Sequence, residues 1–297
     1  MVKLLAEHAP AKINLYLRVT GKRADGYHEL DSVFLPITWS DAVRLETRPA
    51  DSPSVTLRCD LPSLADPGSN LASRAAASFM REFSIGAQVL IDLRKRIPMG
   101  AGLGGGSSDA GAVLRMMARI FRVPAGTRLA KLAVELGADV PFFLDPRPAR
   151  VRGIGEHIEP LSAMPQLHLV VAVPPVEVPT AAVFKDLKRQ EWSGALPDSE
   201  LASILRGELS AIHTVNDLSA PAIHRAPAIA GLKALLEEED ARPVAMSGSG
   251  GAVFGLYTDA KSAWRAAVRI GERAPEATVR AVSTTTLEDL AGTPFST

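Results

Sequence analysis

Ile13, Leu15, Leu17 and Val19 alternate with Asn14, Tyr16, Arg18 and Thr20, the period-two pattern of a strand with one buried face. The runs AVRLE (42–46), SVTLRC (54–59) and VLIDLRK (89–95) share that β character. Between the last two, Asn70 is placed to cap a helix on which Leu71, Ala75, Phe79 and Phe83 fall on one face. A second helical stripe, Ala112, Val113, Met116, Met117 and Ile120, ends ahead of Pro124. TRLAKLAVELG predicts a further helix, capped by Thr127 and stopped at Gly137. PRPARVRGIGE (146–156) reads as turn and LHLVVAV (167–173) as a strand. Helices are expected near 180–189, 199–206, 217–225 and 227–238, then strand, glycine turn and strand over 243–257. A helix over 259–273 and a strand over 277–284 close the chain. This order predicts an α+β fold rather than a regular βαβ alternation. A length of 297 residues accommodates two domains, expected at 1–155 and 156–297.

Composition narrows the function classes. Thirty-three basic and thirty-three acidic residues cancel, which argues against a nucleic-acid partner. The longest apolar run, LVVAVPPV (169–176), is too short to span a membrane. The opening residues carry Lys3, Glu7 and Lys12 and lack the apolar core of a secretory signal, so a cytoplasmic location is expected. No protein partner is indicated. Cys59, the only cysteine, excludes an internal disulfide and a cysteine metal site, and reads as a strand residue. His157, His168, His213 and His224 have no metal-ligand spacing.

One stretch stands apart. PMGAGLGGGSSDAGAVLRMM (98–117) places six glycines between Pro98 and Gly111 and runs straight into an apolar helix. Converging backbone N–H groups and the positive end of a helix make such a stretch an anion site, with Ser107 and Ser108 as further donors. It is not a P-loop, because no Gly-Lys pair follows the glycines. Gly100, Gly102 and Gly105 satisfy the dinucleotide spacing, but no acid occurs between Asp109 and Glu135 to take a ribose. The motifs of protein kinases are absent. Asp109 follows the loop closely, where it can offset the helix dipole.

PMGAGLGGGSS resembles the phosphate loop of the GHMP kinases, P-x-G-x-G-L-G-S-S, with an extra Gly-Gly before the serines. PAKINLYL (10–17) and MSGSGGAVFGLY (246–257) match that superfamily's other motifs, in the right order. RADGYH, LGADVPFFL and GIGE resemble its branch acting on a cytidine-diphosphate-linked alcohol of the non-mevalonate isoprenoid route. The likeness runs from Pro10 to about Thr284. It implies two α+β domains with the active site in the cleft between them. ATP would be held by Pro98, Met99, Gly100, Ala101, Gly102, Leu103, Gly104, Gly105, Gly106, Ser107 and Ser108, with Asn70 on the adenine side. Lys12 and Asp139 take the catalytic positions. Asn14, Tyr27, His28, Phe34, Ile154 and Phe184 match positions around the acceptor, with Tyr27 and Phe184 sandwiching the cytosine.

By spacing alone, Asp139 reads rather as a turn residue ahead of Pro141 and His28 as a surface or turn histidine, while a helix cap explains Asn70 equally well. Mg2+ is expected with the nucleotide, without a dedicated protein cage. Two alternatives stay open: a GHMP kinase for a mevalonate-like or homoserine-like alcohol, and a non-catalytic nucleotide-binding regulator.

Overall fold

The computed structural model describes residues 2–161, 164–206, 208 and 214–291. His213 lies outside the described residues. The chain opens with two long antiparallel strands, β1 (Lys3–Lys22) and β2 (His28–Pro49). Then come β3 (Ser54–Cys59), α1 (Leu71–Glu82), β4 (Ala87–Arg94), α2 (Gly105–Phe121), α3 (Thr127–Leu136), β5 (Ala149–Gly153) and β6 (His157–Pro160). The second half contains β7 (His168–Val173), α4 (Thr180–Asp186), α5 (Asp198–Leu205), α6 (Ser219–Arg225), α7 (Ala228–Glu238) and β8 (Val244–Met246). It finishes with β9 (Val253–Tyr257), α8 (Ala260–Arg273), β10 (Thr278–Ser283) and α9 (Leu287–Ala291).

Two sheets result. In the first, the order is β3-β4-β2-β5-β6, with β1 paired to β2 along nearly its whole length. β2 is long enough to take β5 against Leu30–Phe34 and β4 against Ala42–Pro49. β3 and β4 pair in parallel, so β3, α1 and β4 form one βαβ crossover within an otherwise antiparallel sheet. The second sheet runs β10-β7-β9-β8.

α1, α2 and α3 cover one face of the first sheet through Ala75, Phe79, Val113, Met117 and Leu132. The other face meets the second sheet: Ile13, Leu15, Leu35 and Ile37 pack with Leu169, Val171 and Phe254 in a single cluster. Helices α4, α6, α7 and α8 close the far side with Val183, Ala222, Leu232 and Ala266. The halves therefore share a core.

Several expectations are revised. From Ala9 to Val19 β1 is buried on both faces, because elements of the second half cover the side expected to meet solvent: Asn14, Tyr16 and Arg18 are buried, and of the four residues on that side Thr20 alone is exposed. Residues 149–153 form a strand where a turn was read, since β2 offers them a free edge. Thr127 is the first helical residue of α3 and Gly126 its cap. The expected boundary after residue 155 cuts the β5–β6 hairpin, and the chain changes sheet between Pro160 and His168.

Candidate active site

β1 pairs with β2 through register shifts at Pro10/Lys12 and Asn14/Tyr16, and these irregularities bracket Lys12 and Asn14. Bulges of this kind re-aim side chains and free ladder groups. Here the Lys12 N–H leaves the ladder and donates to Leu103 O at 2.9 Å, tying the strand to the glycine loop. The Lys12 side chain is buried. Its Nζ donates to Asn14 Oδ1 at 2.6 Å, sits 3.6 Å from Asp139 Oδ2 and lies over the Phe34 ring at 4.6 Å. Asn14 in turn donates to Ser32 Oγ at 2.9 Å, which fixes its amide orientation. Asp139 stands in the turn between α3 and Phe142 and is about one-third exposed, so a solvent-facing carboxylate meets a buried ammonium.

Gly100, Gly102 and Gly104 all adopt positive φ, the conformation glycine tolerates best. Gly104 caps α2 without any side-chain bond to the helix start. The first N–H groups of a helix have no intrahelical acceptor, so Gly105, Gly106 and Ser107 present theirs to the loop. Ser108 is buried, and its hydroxyl has no hydrogen-bond partner among the described residues.

A second glycine turn supports this one, and the sequence reading did not draw on it for site residues. Residues 247–251 of the second half press against the loop so closely that a Cβ on Gly102, Gly248 or Gly250 would strike opposing backbone. Ser247 Oγ accepts from the Asn14 N–H at 3.2 Å and donates to Gly102 O at 3.3 Å. Ala252 N–H donates to Ala101 O at 3.0 Å, and buried Asn216 holds Gly248 O at 2.8 Å. The dense glycines of MSGSGG were the available signal, because backbone-to-backbone packing admits no side chain.

Asn70 is the cap of α1, accepting from Ala72 N–H at 3.0 Å and donating to Leu64 O at 3.0 Å. Both ends of its amide are engaged in the protein. Met99, half-exposed, lies beside Ser63 of the same segment.

On the acceptor side three aromatic rings gather. His28 stacks on Phe184 at 5.3 Å and 23°, with Trp192 edge-on at 5.7 Å, whereas Tyr27 is 62% exposed at the tip of the β1–β2 turn. Burial, then the Lys22 charge, holds the His28 imidazole below its ordinary range. Trp192 was not anticipated. It follows the short turn at Arg189–Glu191, and its neighbour Ser193 is anchored by Asp217. Phe34 lies beneath Lys12 and edge-on to Phe142, a supporting rather than a pocket-lining position. Ile154 sits in the turn that reaches Asp139: Gly155 at φ +127° packs on Ala138 with no room for a Cβ. Arg23 spans from Asp25 (3.1 Å) to Glu156 (3.5 Å), linking the Tyr27 turn to the Ile154 turn.

Comparisons with known proteins give the family. The model for the GHMP kinases N terminal domain matches residues 70–145, and that for the GHMP kinases C terminal domain matches residues 204–275. The 4-diphosphocytidyl-2-C-methyl-D-erythritol kinase of Anaeromyxobacter dehalogenans is 42% identical over 271 residues, covering 90% of this chain and 85% of its own length. The enzyme of the same name from Chlorobaculum tepidum is 36% identical over 280 residues, covering 92% of this chain and 96% of its own. A solved 4-(cytidine 5'-diphospho)-2C-methyl-D-erythritol kinase superposes with a TM-score of 0.80 at 38% identity, over 95% of this chain and all of the other. Homoserine kinase from Cytophaga hutchinsonii shares the fold alone, with a TM-score of 0.71 at 18% identity over 95% of each chain. The chain belongs to the 4-diphosphocytidyl-2-C-methyl-D-erythritol kinase family of the GHMP kinases.

Proposed function

We infer that this chain transfers the γ-phosphoryl group of ATP to the 2-hydroxyl of 4-diphosphocytidyl-2-C-methyl-D-erythritol, in the methylerythritol phosphate route to isoprenoid precursors. The observation that carries the reading is the Lys12–Asp139 pair, 3.6 Å apart, with the backbone of the same lysine bonded to the glycine loop. A proton acceptor, a cation and a phosphate cradle thereby meet at one bulge.

Phosphoryl transfer asks the protein mainly for positioning and charge stabilisation. The N–H groups at the start of α2 hold the phosphates of ATP. Asp139 takes the acceptor's hydroxyl proton while the oxygen forms its bond to the γ-phosphorus. The bond from that phosphorus to the β–γ bridging oxygen breaks, and ADP leaves. The Lys12 ammonium stabilises negative charge on the attacking oxygen. Asn14 orients the lysine and donates toward the acceptor. Magnesium neutralises phosphate charge when bound. Its oxygens would come mostly from the phosphates, and the Ser108 hydroxyl, which has no hydrogen-bond partner among the described residues, would be available to it.

The acceptor's class follows from distance along β2. Phe34, beneath Lys12, and His28, in the aromatic cluster, lie six residues apart on one strand, roughly 20 Å at about 3.3 Å per residue. That separation suits an extended nucleotide-linked alcohol better than a compact acid such as mevalonate or homoserine. Tyr27, exposed on the turn, closes over the cytosine, and His28, Phe184 and Trp192 form the opposite wall. Among the described residues no helix is long and apolar enough to cross a membrane, and use of ATP suits work in the cytoplasm. A coupled ADP-release assay with the cytidylyl substrate, mevalonate and homoserine tests the reading. Rapid release only with the first supports it, and equal or faster release with another alcohol overturns it.

A further inference from the structure

We propose that Asp41, Lys95 and Asp109 form a buried clamp that closes both ends of the glycine loop and acts as a set of positioning residues for the nucleotide phosphates. The inference rests on the reading of that loop as the ATP phosphate site.

The loop leaves β4 and enters α2, and the clamp grips it on each side. Asp41, fully buried on β2, accepts the backbone N–H groups of Arg96 (2.5 Å) and Ile97 (2.9 Å) on one oxygen. These residues immediately precede Pro98. Its other oxygen takes the Lys95 ammonium. The same ammonium donates to Asp109 Oδ2 at 2.6 Å, in the second turn of α2. Entry and exit of the loop therefore meet at one nitrogen, and all three side chains are more than nine-tenths buried. Gly105 sits directly on the cluster: a Cβ there would lie 3.0 Å from Ile97 Cγ2 and 3.5 Å from Asp41 Oδ2. Asp109 thus faces Lys95 rather than serving only the helix dipole.

Stability alone does not account for this arrangement. A buried ionic cluster contributes little that well-packed apolar residues would not. It does fix geometry, because Asp41 holds the backbone entering the loop and Asp109 ties the helix leaving it to Lys95. Burial pushes the Asp109 carboxyl well above its usual range, against the pull of Lys95. The positive end of α2 is left for an anion, because the Asp109 carboxylate oxygen is taken by Lys95.

The test uses the intact chain and ADP as the probe. Asp109→Ala leaves Lys95 and Asp41 as a neutral pair, so the interior stays charge-balanced. The loop's exit is then free, and ADP Kd and ATP KM should rise about tenfold or more, as expected when a binding group shifts by a fraction of an ångström. The acceptor KM should stay unchanged. Asp109→Asn keeps an oxygen for Lys95 and should restore nucleotide affinity to within about threefold of native. Asp109→Ser, too short to reach Lys95, should behave like Ala and serves if Ala does not fold. Native nucleotide affinity in the Ala or Ser variant overturns the clamp, as does an Asn variant as weak as Ala. So does a lowered melting temperature with unchanged ADP affinity. A native chain that fails to bind ADP would refute the phosphate reading of the loop itself.

Discussion

Lys12→Met removes the ammonium while leaving the lysine's backbone bond to Leu103 in place, so it separates chemistry from loop geometry. At 3.6 Å from Asp139, a unit charge interacts with about 1 kcal/mol in bulk water and about 5 kcal/mol at an effective dielectric of about 20. Asp139 is one-third exposed, so the pair itself lies toward the weaker end. In the closed complex the charge that matters forms on the acceptor oxygen, with water excluded. Loss of a preorganised group of this kind costs about 2.7–4 kcal/mol, or roughly 10²–10³ in kcat. Methionine retains much of the stem packed over Phe34. The chief structural cost is the Asn14 carbonyl oxygen left without its donor, about 1–3 kcal/mol. Steady-state rates at saturating ATP and acceptor, with calorimetric titration of a non-hydrolysable ATP analogue, measure both effects. The expected result is a kcat lower by two to three orders of magnitude with nucleotide affinity changed by less than about threefold. A loss of nucleotide affinity equal to the loss of rate would make Lys12 a phosphate ligand and refute the assignment.

Other perturbations probe the remaining parts. A Cβ on Gly106 meets nothing within 4 Å, so Gly106→Val should melt like native yet bind ATP poorly; normal ATP affinity would remove the first turn of α2 from the anion site. Gly104→Val should lose stability as well, because φ is +71° and a Cβ would lie 3.0 Å from the Phe143 ring. Tyr27→Ala should raise the acceptor KM by roughly 5- to 150-fold with kcat, ATP KM and melting temperature nearly unchanged, since stacking is worth about 1–3 kcal/mol in ground and transition states alike. An unchanged acceptor KM would leave Tyr27 a turn residue. His28 is held below its ordinary pKa of 6.5, so the unfolded chain binds that proton more readily. Stability should therefore fall as pH drops from about 6.5 through the lowered folded value, and His28→Gln should flatten that slope in thermal melts across the window.

Local pattern carried much of the fold. α1, β3, the body of α2 and the second-half helices were legible because each has a strong period and clear punctuation. The polar face of β1 was not. Alternation says which residues share a face, but not what covers it, and here Asn14 is bonded to the Ser247 turn and Tyr16 meets Asp31, itself held by Leu196. β5 escaped for a similar reason: Pro146, Pro148, Gly153 and Gly155 at and around its ends read as turn until β2 supplies hydrogen bonds. At the site, the glycine loop announced itself through composition. Asp41, Ser247 and Trp192 did not, because each acts on residues far away in the chain and has no local periodicity to betray it. The resemblance supplied Lys12 and Asp139, and the structure brings them together. It also stacks His28 on Phe184, with Tyr27 standing apart from that contact.

Turnover of Asp139→Asn on ATP and 4-diphosphocytidyl-2-C-methyl-D-erythritol, measured beside its nucleotide affinity, addresses the centre of the account. Asparagine keeps the shape of the turn between α3 and Phe142 but cannot accept the hydroxyl proton. Removal of a general base lowers rates by roughly 10²–10⁴-fold. The account predicts a loss in that range, with ADP binding and melting temperature close to native. A variant that retains a tenth or more of the native rate would contradict it.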